Sequence, residues 1–426
     1  MFYRLFAQYP LPATIPWGPW TLAWAICCVS CFNANAGDWP QILGPHRSGV
    51  VDEKLPDHFP QGGPQQVWSV PLGQGYAGPI VQGDKVIAFH RLEDVERLEC
   101  FSVSTGRSLW KADFPATYRG GVDADVGPRC VPIISQGGVF VYGAGGDCHC
   151  VELATGKPVW SRELAVDYAA PDGYFGAGST PIVIGERLLV NVGGKQGGIV
   201  ALNLASGKTE FAVSKEQASY ASPALYRQGP REFAIFVTRF NVVKLDPRTG
   251  DFLTLFPFGK LGPTVNAAVP LVLGDQLFTT SSYGVGATLA SLSPPEAKVI
   301  WSNDETLSSQ YATPVIRGDY LYGIHGREDI PPAHLRCVAW KTGKILWTRE
   351  AFGVAHAILA GHKLLLLTVE GELVLTAASP EKYIELSRAK VTKGVTRALP
   401  ALSNGKIYFR TNAGGAGELV CLQLAD

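Results

Sequence analysis

The chain has 426 residues, and its 37 basic side chains balance its 37 acidic ones. This length is enough for one large hydrophobic core or two of ordinary size. Because phosphate neutralisation supplies most of the affinity for nucleic acids, a neutral chain gives no reason to expect that partner. The same balance gives no reason to expect attraction to an anionic membrane surface.

The first 36 residues differ in composition from the rest of the chain. An uncharged, largely apolar stretch runs from Trp17 to Ala36 and ends in the small residues NANA. A short apolar segment before an A-x-A pattern is typical of a secretory signal peptide, so we predict that residues 1–36 are one, cleaved after Ala36. An uncleaved anchor is the alternative. A lipoprotein signal would modify Cys31, but the Leu that begins such a motif is missing.

From residue 65 onward the chain repeats one unit. Each unit begins with a short apolar strand that has a Pro near its start, turns at a pair such as Gly-Asp into a second strand, and ends in two further strands. The unit starts are Pro79, Pro132, Pro181, Pro223, Pro270, Pro314, Ala357 and Pro400. Strand-forming runs joined by Gly-Asp are typical of β-hairpins. Eight units of this size predict an all-β fold, an eight-bladed β-propeller of four-stranded antiparallel blades.

A six-residue phrase marks the last two strands of a unit. It reads TGRSLW at 105–110, TGKPVW at 155–160 and TGKILW at 342–347. Gly makes the turn between the third and fourth strands, and the Trp is expected to pack its large ring between neighbouring blades.

The eighth unit ends after its third strand. A matching fourth strand occurs near the other end of the chain, where QQVWSVPL surrounds Trp68. We therefore predict that this N-terminal strand closes the ring, because a closed ring leaves no unpaired end. The propeller then spans residues 65–426, and residues 37–64 form an extended arm lying over it.

The cysteines of the predicted mature chain follow the same repeat. Cys occurs at one equivalent position in four units, five residues before the turn Thr or at the matching place: Cys100, Cys150, Cys337 and Cys421. Residues on different blades do not readily pair, and free Cys packs as a small hydrophobe. The spacing leaves only a bridge between Cys130 and Cys148 open.

Units that end in TGKPVW and TGKILW resemble the repeats of pyrroloquinoline-quinone-type β-propellers. The resemblance covers residues 68–424, although the phrase is degraded in three units and lost in the seventh. Two roles occur among such proteins. Some are quinone-dependent alcohol or glucose dehydrogenases, and the BamB-type protein is a binding scaffold in outer-membrane assembly.

The resemblance to the alcohol dehydrogenases implies an adjacent Cys-Cys pair against the quinone, a calcium ion held by carboxylate and amide oxygens, and an Asp base. Here Cys27-Cys28 lies in the predicted signal peptide, and a His separates Cys148 from Cys150. Calcium takes six to eight oxygen ligands, and the sequence shows no dense carboxylate cluster. Chain length and export signal resemble the scaffold more closely.

We therefore expect an exported, monomeric, non-catalytic scaffold of the periplasm or cell envelope, with no cofactor and with peripheral membrane association left open. A small oxidoreductase that binds the quinone and calcium is the alternative. A carbohydrate-binding propeller is the second alternative.

The predicted partner site lies on one face of the ring. Strand direction alternates within a blade, so the fourth-to-first connections and the second-to-third loops share one face, and these segments vary most. Variable loops on a rigid scaffold are where binding residues concentrate. We expect a protein or peptide partner there.

Five residues at one repeat position, three before a unit start, are expected to ring the mouth of the central channel: Tyr76, Arg129, Tyr220, Tyr311 and Arg397. Tyr and Arg are enriched at interfaces. The alternative is that the Tyr side chains pack the channel and the Arg side chains pair with neighbouring carboxylates. Asp123 and Asp125 are weak candidates for holding a cation, since a D-x-D pair is also typical of a solvated loop.

Overall fold

The computed structural model describes residues 37–293, 296–412 and 416–425. The predicted signal peptide lies outside these described residues. The strands, in chain order, are β1 (Val50–Val51), β2 (Gln65–Leu72), β3 (Ile80–Gln82), β4 (Lys85–Leu92), β5 (Val95–Ser102), β6 (Ser108–Pro115), β7 (Ile133–Ser135), β8 (Gly138–Tyr142), β9 (Asp147–Glu152), β10 (Pro158–Glu163), β11 (Ile182–Ile184), β12 (Arg187–Gly194), β13 (Gly197–Asn203), β14 (Thr209–Val213), β15 (Ala224–Gln228), β16 (Arg231–Val237), β17 (Asn241–Leu245), β18 (Phe252–Pro257), β19 (Leu271–Leu273), β20 (Gln276–Ser281), β21 (Gly286–Ser291), β22 (Lys298–Asn303), β23 (Val315–Arg317), β24 (Tyr320–His325), β25 (His334–Ala339), β26 (Ile345–Arg349), β27 (Ala355–Ala360), β28 (Lys363–Thr368), β29 (Glu372–Ala377), β30 (Glu385–Lys390), β31 (Ala401–Ser403), β32 (Lys406–Arg410) and β33 (Gly417–Gln423). The helix α1 (Leu164–Asp167) is a single turn.

These strands form eight four-stranded antiparallel blades, which confirms the predicted eight-bladed β-propeller. Blades 1 to 7 take four consecutive strands each, from β3–β6 to β27–β30, and blade 8 combines β31, β32 and β33 with β2. The first strand of each unit lies innermost. Hydrophobic clusters fill the spaces between blades; one joins Phe89 of blade 1 to Val139 of blade 2. Among the described residues, no helix combines the length and apolar character needed to cross a membrane.

Blade 8 is built from both ends of the described chain. The N-terminal strand β2 runs antiparallel to β33, with Trp68 opposite Cys421 and Leu72 opposite Gly417. The two ends of the propeller are therefore held in one sheet by backbone hydrogen bonds.

The six-residue phrase works as a connector between successive blades. A Cβ placed on the turn glycine of blade 1, 2 or 3 would lie 2.5 to 2.8 Å from a Trp ring of the preceding blade. Each Trp also donates its indole N–H to a backbone carbonyl of the following blade at 2.9 to 3.0 Å: Trp68 to Val103, Trp110 to Leu153, Trp160 to Leu204, Trp301 to Trp340 and Trp347 to Ser379. Each phrase thus receives one ring on its Gly and sends its own Trp onward.

The repeated cysteines are explained by the same contact. Cys100 lies directly opposite Trp110 in the β5–β6 register, and Cys150, Cys337 and Cys421 face Trp160, Trp347 and Trp68 in the same way. A small apolar side chain there leaves room for the ring. All six cysteines from Cys100 to Cys421 are free and buried, so the bridge between Cys130 and Cys148 that the spacing left open is not formed.

Residues 38–51 of the arm enter the central channel from the face that carries the short Gly-Asp and Thr-Gly turns, here called the plain face. Trp39 exchanges backbone hydrogen bonds with Val81 of blade 1 at 2.8 and 2.9 Å. The chain then turns, and β1 pairs in parallel with the inner strand β27 of blade 7. Inner strands otherwise present unpaired N–H and C=O groups to the channel, and the arm satisfies part of them.

Arg47 anchors the arm inside the channel. Its guanidinium donates to the carbonyls of Pro223 and Pro181, both at 3.0 Å, and of Thr180 at 3.2 Å, at the starts of the inner strands of blades 4 and 3. Burial lowers the pKa of Arg47 to about 9. The arm therefore binds to blades on both sides of the channel.

The ring-on-glycine contact can be tested within one blade. Gly207 in the third-to-fourth turn of blade 3 has φ +65°, and a Cβ there would lie 2.6 Å from the ring of Trp160. We expect Gly207→Ala to lower the free energy of unfolding by about 2–4 kcal/mol, because backbone strain and overpacking add. Urea denaturation measures it.

The matched control is Gly185→Ala in the first turn of the same blade. Gly185 has φ +61° with nothing within 4 Å of a Cβ, so only the backbone cost of about 1 kcal/mol applies. Equal losses for the two variants would contradict the role given to the Trp ring.

Candidate functional site

Four of the five predicted rim residues meet at the mouth of the channel on the loop-rich face. Tyr76, Arg129, Tyr311 and Arg397 each precede an inner strand, as the repeat predicted. Arg129 and Arg397 both lie over the ring of Tyr76, at 5.3 and 5.8 Å from its centroid. Tyr220 lies apart from this group and lines a cavity described below.

A chain of polar contacts joins three of these residues, Tyr76, Tyr311 and Arg397, across the mouth. Tyr311 donates to Glu328 at 2.7 Å, and Arg397 Nε donates to both oxygens of that carboxylate at 2.8 and 2.9 Å. Arg397 also donates to the Tyr76 hydroxyl at 3.2 Å, which in turn donates to Asp123 at 3.1 Å. Burial raises the pKa of Tyr76 and, with Glu328 alongside, that of Tyr311. We call Tyr76, Asp123, Tyr311, Glu328 and Arg397 the mouth network.

The mouth network combines both sequence interpretations. Arg397 pairs with a carboxylate, as the structural alternative expected, yet its side chain and that of Glu328 keep 40% and 25% of their surface exposed. Sequence reasoning missed Glu328, because it lies in a long loop between β24 and β25 that has no counterpart in the other units.

Asp123 and Asp125 are both engaged in holding their loop. Asp125 accepts from the N–H groups of Gly75 and Gly127 at 3.0 and 2.9 Å and from the Asn412 amide at 2.9 Å. Asp123 accepts from the N–H of Asp125 at 2.9 Å in addition to Tyr76. Their oxygens are used by protein donors, so the arrangement explains the pair without a cation.

The described residues lack two features that the resemblance to the dehydrogenases implies, a calcium-holding cluster and a cysteine pair against the quinone. Within the described part of the chain, no group of three or more His, Cys, Asp or Glu side chains is arranged to hold a metal ion. The six free cysteines are buried, and burial raises the pKa of Cys337 and Cys421 to about 11. A buried thiol of this kind is inert packing rather than a surface for a cofactor.

A cavity of about 460 Å³ opens on the same face, among the loops of blades 2 to 5. Its walls come from the connections between blades and from second-to-third loops, and they include Tyr142, Asn191, Tyr220, Phe240, Leu261 and Asn266. The Tyr220 hydroxyl accepts from the N–H of Phe175 at 2.9 Å, and burial raises the pKa of Tyr220 to about 12. The mouth network and this cavity therefore occupy different parts of the loop-rich face.

The loop tips around these two features carry exposed apolar side chains. Of the large apolar residues in the described chain, the four most exposed are Leu261 (83%), Val166 (73%), Val122 (72%) and Ile330 (60%). Val166 lies in the helix α1 and the other three lie in loops of this face; we call the four the apolar tips. Exposed apolar groups gathered on one side are typical of interaction surfaces. The sequence signal was weak, since single apolar residues in turn-rich loops are common.

Glu96 lies just beneath this face, between blades 1 and 2, with 1% of its surface exposed. Its Oε1 accepts from the N–H of Ala144, a cavity residue, at 2.9 Å. Burial raises the pKa of Glu96 to about 7; the Ala144 N–H opposes the shift and Asp147 adds to it. This carboxyl therefore changes charge near neutral pH, under the loops that form the site.

The stacked four-stranded blades and their Thr-Gly/Trp phrase define a β-propeller of the pyrroloquinoline-quinone repeat type. Residues 94–380, more than half of the chain, match the family model described as outer membrane protein assembly factor BamB. The chain belongs to this family. No curated protein matches it significantly.

Solved structures share the fold at low sequence identity. BamB from Moraxella catarrhalis is 17% identical, with a TM-score of 0.60 over 83% of this chain and 96% of that chain. Quinohemoprotein alcohol dehydrogenase from Comamonas testosteroni is 13% identical, with a TM-score of 0.64 over 93% and 82%. A europium-containing methanol dehydrogenase is 11% identical, with a TM-score of 0.65 over 90% of each chain. These likenesses show the fold alone.

Glu96→Gln should change how stability depends on pH. The folded pKa of about 7 exceeds the ordinary 4.5, so the folded state holds this proton more tightly than the unfolded one. The wild type should lose up to about 3 kcal/mol relative to the Gln variant as pH rises from about 4.5 to 7, and the difference should stay constant above that. Urea denaturation across this pH range measures it.

Glu186→Gln, at an exposed plain-face turn, is the control and should keep the wild-type profile. If the stability of Glu96→Gln runs parallel to that of the wild type from pH 4 to 8, the raised pKa of this buried carboxyl is contradicted.

Proposed function

We propose that this protein is an exported, non-catalytic scaffold that docks a protein partner on its loop-rich face during outer-membrane protein assembly. The family match supports this role, since the matched family is described as an outer membrane protein assembly factor. Export rests on the predicted signal peptide and on that family. We further propose that the scaffold works as a monomer, with no cofactor.

The observation that carries the proposal is the one-sided placement of the apolar tips. A docking surface uses exposed apolar side chains as anchors around polar contacts. The half-exposed pair of Arg397 and Glu328 lies on the same face. Arg and Tyr side chains held in place by neighbours lose little conformational freedom on binding, which favours them as contact residues.

The plain face differs in a way that supports the same assignment. Its turns are short and alike, and residues 38–51 occupy the channel from that side through contacts with Val81, β27 and the carbonyls near Pro181. The loop-rich face therefore offers a partner the more varied connections between strands.

Site-specific photo-crosslinking tests the docking face. A benzophenone amino acid at each apolar tip should give covalent adducts with the same envelope protein in cells, because these are the most exposed large apolar side chains of the described chain. The same probe at Arg107 and Glu186, exposed plain-face turn residues without side-chain hydrogen-bond partners among the described residues, serves as the control. Adducts from the controls as abundant as those from the tips, or no protein adduct at any tip, would overturn the proposal.

The oxidoreductase alternative has its own test. Pyrroloquinoline quinone and Ca²⁺ added in large excess should leave the melting temperature unchanged, because the described residues provide no carboxylate cage or paired cysteines. A ligand at about 100 times its Kd would stabilise the native state by about 2.7 kcal/mol. A shift of that size with both additives, absent with Ca²⁺ alone, would instead favour the enzyme.

A further inference from the structure

The cavity among blades 2 to 5 has features that protein docking does not need. We propose that it is a binding site for an uncharged carbohydrate, a mono- or disaccharide, distinct from the docking function of the apolar tips. Its volume of about 460 Å³ lies within the ~300–1,000 Å³ range of small-molecule sites.

The first supporting observation is a set of buried polar groups without partners on the cavity wall. Asn191 is 2% exposed, and neither its amide nitrogen nor its amide oxygen has a hydrogen-bond partner among the described residues. Asn266 is 1% exposed and its Oδ1 likewise lacks a partner, although its Nδ2 contacts three backbone carbonyls. Buried amides are normally satisfied, so a polar ligand or water at this wall would relieve an existing cost.

The positions of these two residues strengthen the argument. Asn191 lies within β12 of blade 3, and Asn266 lies in the connection that leads to β19 of blade 5. The repeat does not require Asn at either place, since neither residue belongs to the six-residue phrase or to a turn. Unsatisfied polar groups that the fold itself does not demand are expected at functional sites.

The charges at the cavity favour a neutral ligand. Arg239, a basic wall residue, donates to Thr264 Oγ1 at 3.0 Å and to Gly262 O at 2.9 Å, and its guanidinium lies 4.8 Å from the centroid of Phe240. Two of its donors are thus directed to the protein, and the cavity wall also carries the acidic Asp172. Asn side chains donate and accept at once, which matches the neighbouring hydroxyls of a sugar, whereas an anionic ligand would need a free cation.

Aromatic side chains supply the second part of sugar recognition. Tyr220 and Phe240 line the cavity, and Tyr174 stands at its edge with 48% of its surface exposed. The Tyr220 ring packs against Gly178, where a Cβ would lie 2.4 Å from the ring atom Cδ1. Rigid aromatic faces beside hydrogen-bonding amides give an apolar surface for sugar C–H groups and polar partners for the hydroxyls.

Asn191→Leu separates this proposal from a purely structural role. Because Leu has a similar volume and no unpartnered amide, the variant without ligand should melt at the wild-type temperature or higher. Glucose, galactose, N-acetylglucosamine and cellobiose are each added to the full chain in a thermal melt, with ligand-observed NMR as a second readout. At least one sugar should raise the wild-type melting temperature, and Asn191→Leu should abolish that shift.

The control is Asn203→Leu, which removes a half-buried Asn at the end of β13 that bonds to Ser206 and Glu210; its sugar-induced shift should equal that of the wild type. The proposal is overturned if no sugar of the panel binds by either readout, or if Asn191→Leu lowers stability and keeps the shift. Crosslinking from the apolar tips should be unaffected by Asn191→Leu, so failure of the carbohydrate site and failure of the docking proposal can be told apart.

Discussion

The architecture depends on one contact, a Trp ring packed on the turn glycine of the next blade while its indole N–H bonds to a carbonyl there. Gly156 shows why the pair is specific: the ring of Trp110 occupies the space that any side chain at this turn would need. The turn glycines of blades 1, 2, 3 and 6 each receive a Trp ring in this way, so the stacking of these blades is set by local sequence. The cysteine opposite the Trp is small for the same reason.

Because this contact lies near the plain face, the other face is free to vary. The connections there have lengths and compositions that the stacking does not restrict, and they build two unlike halves of one surface. In one half, polar residues from units far apart in the sequence, such as Tyr76 and Arg397, hydrogen-bond to each other. Glycine-rich loops leave the other half open as a cavity beside Tyr220. With the channel filled by the arm from the opposite side, binding chemistry gathers on a single surface.

The repeat positions could be read from sequence, whereas the contacts across the mouth could not. Trp68 was recognisable because its strand carries the pattern of the other fourth strands, and the rim positions followed from counting back from each unit start. Glu328 could not be found, because its pairing with Arg397 spans 69 residues and depends on the conformation of an irregular loop. Counting along the repeat places Tyr220 at a rim position, but its ring packs against Gly178 at the cavity wall.

The eighth blade also sets an order of events during synthesis. Its outer strand, around Trp68, is among the first segments of the propeller to leave the ribosome, and its partner β33 is the last. The first strand must wait unpaired while the intervening 344 residues, 73–416, are made. Until then the strand that carries Trp68 is not part of a sheet, although the turn of blade 1 that receives the Trp68 ring has already been made. Removal of β33 would therefore leave an open spiral with two exposed edges rather than a slightly shortened ring.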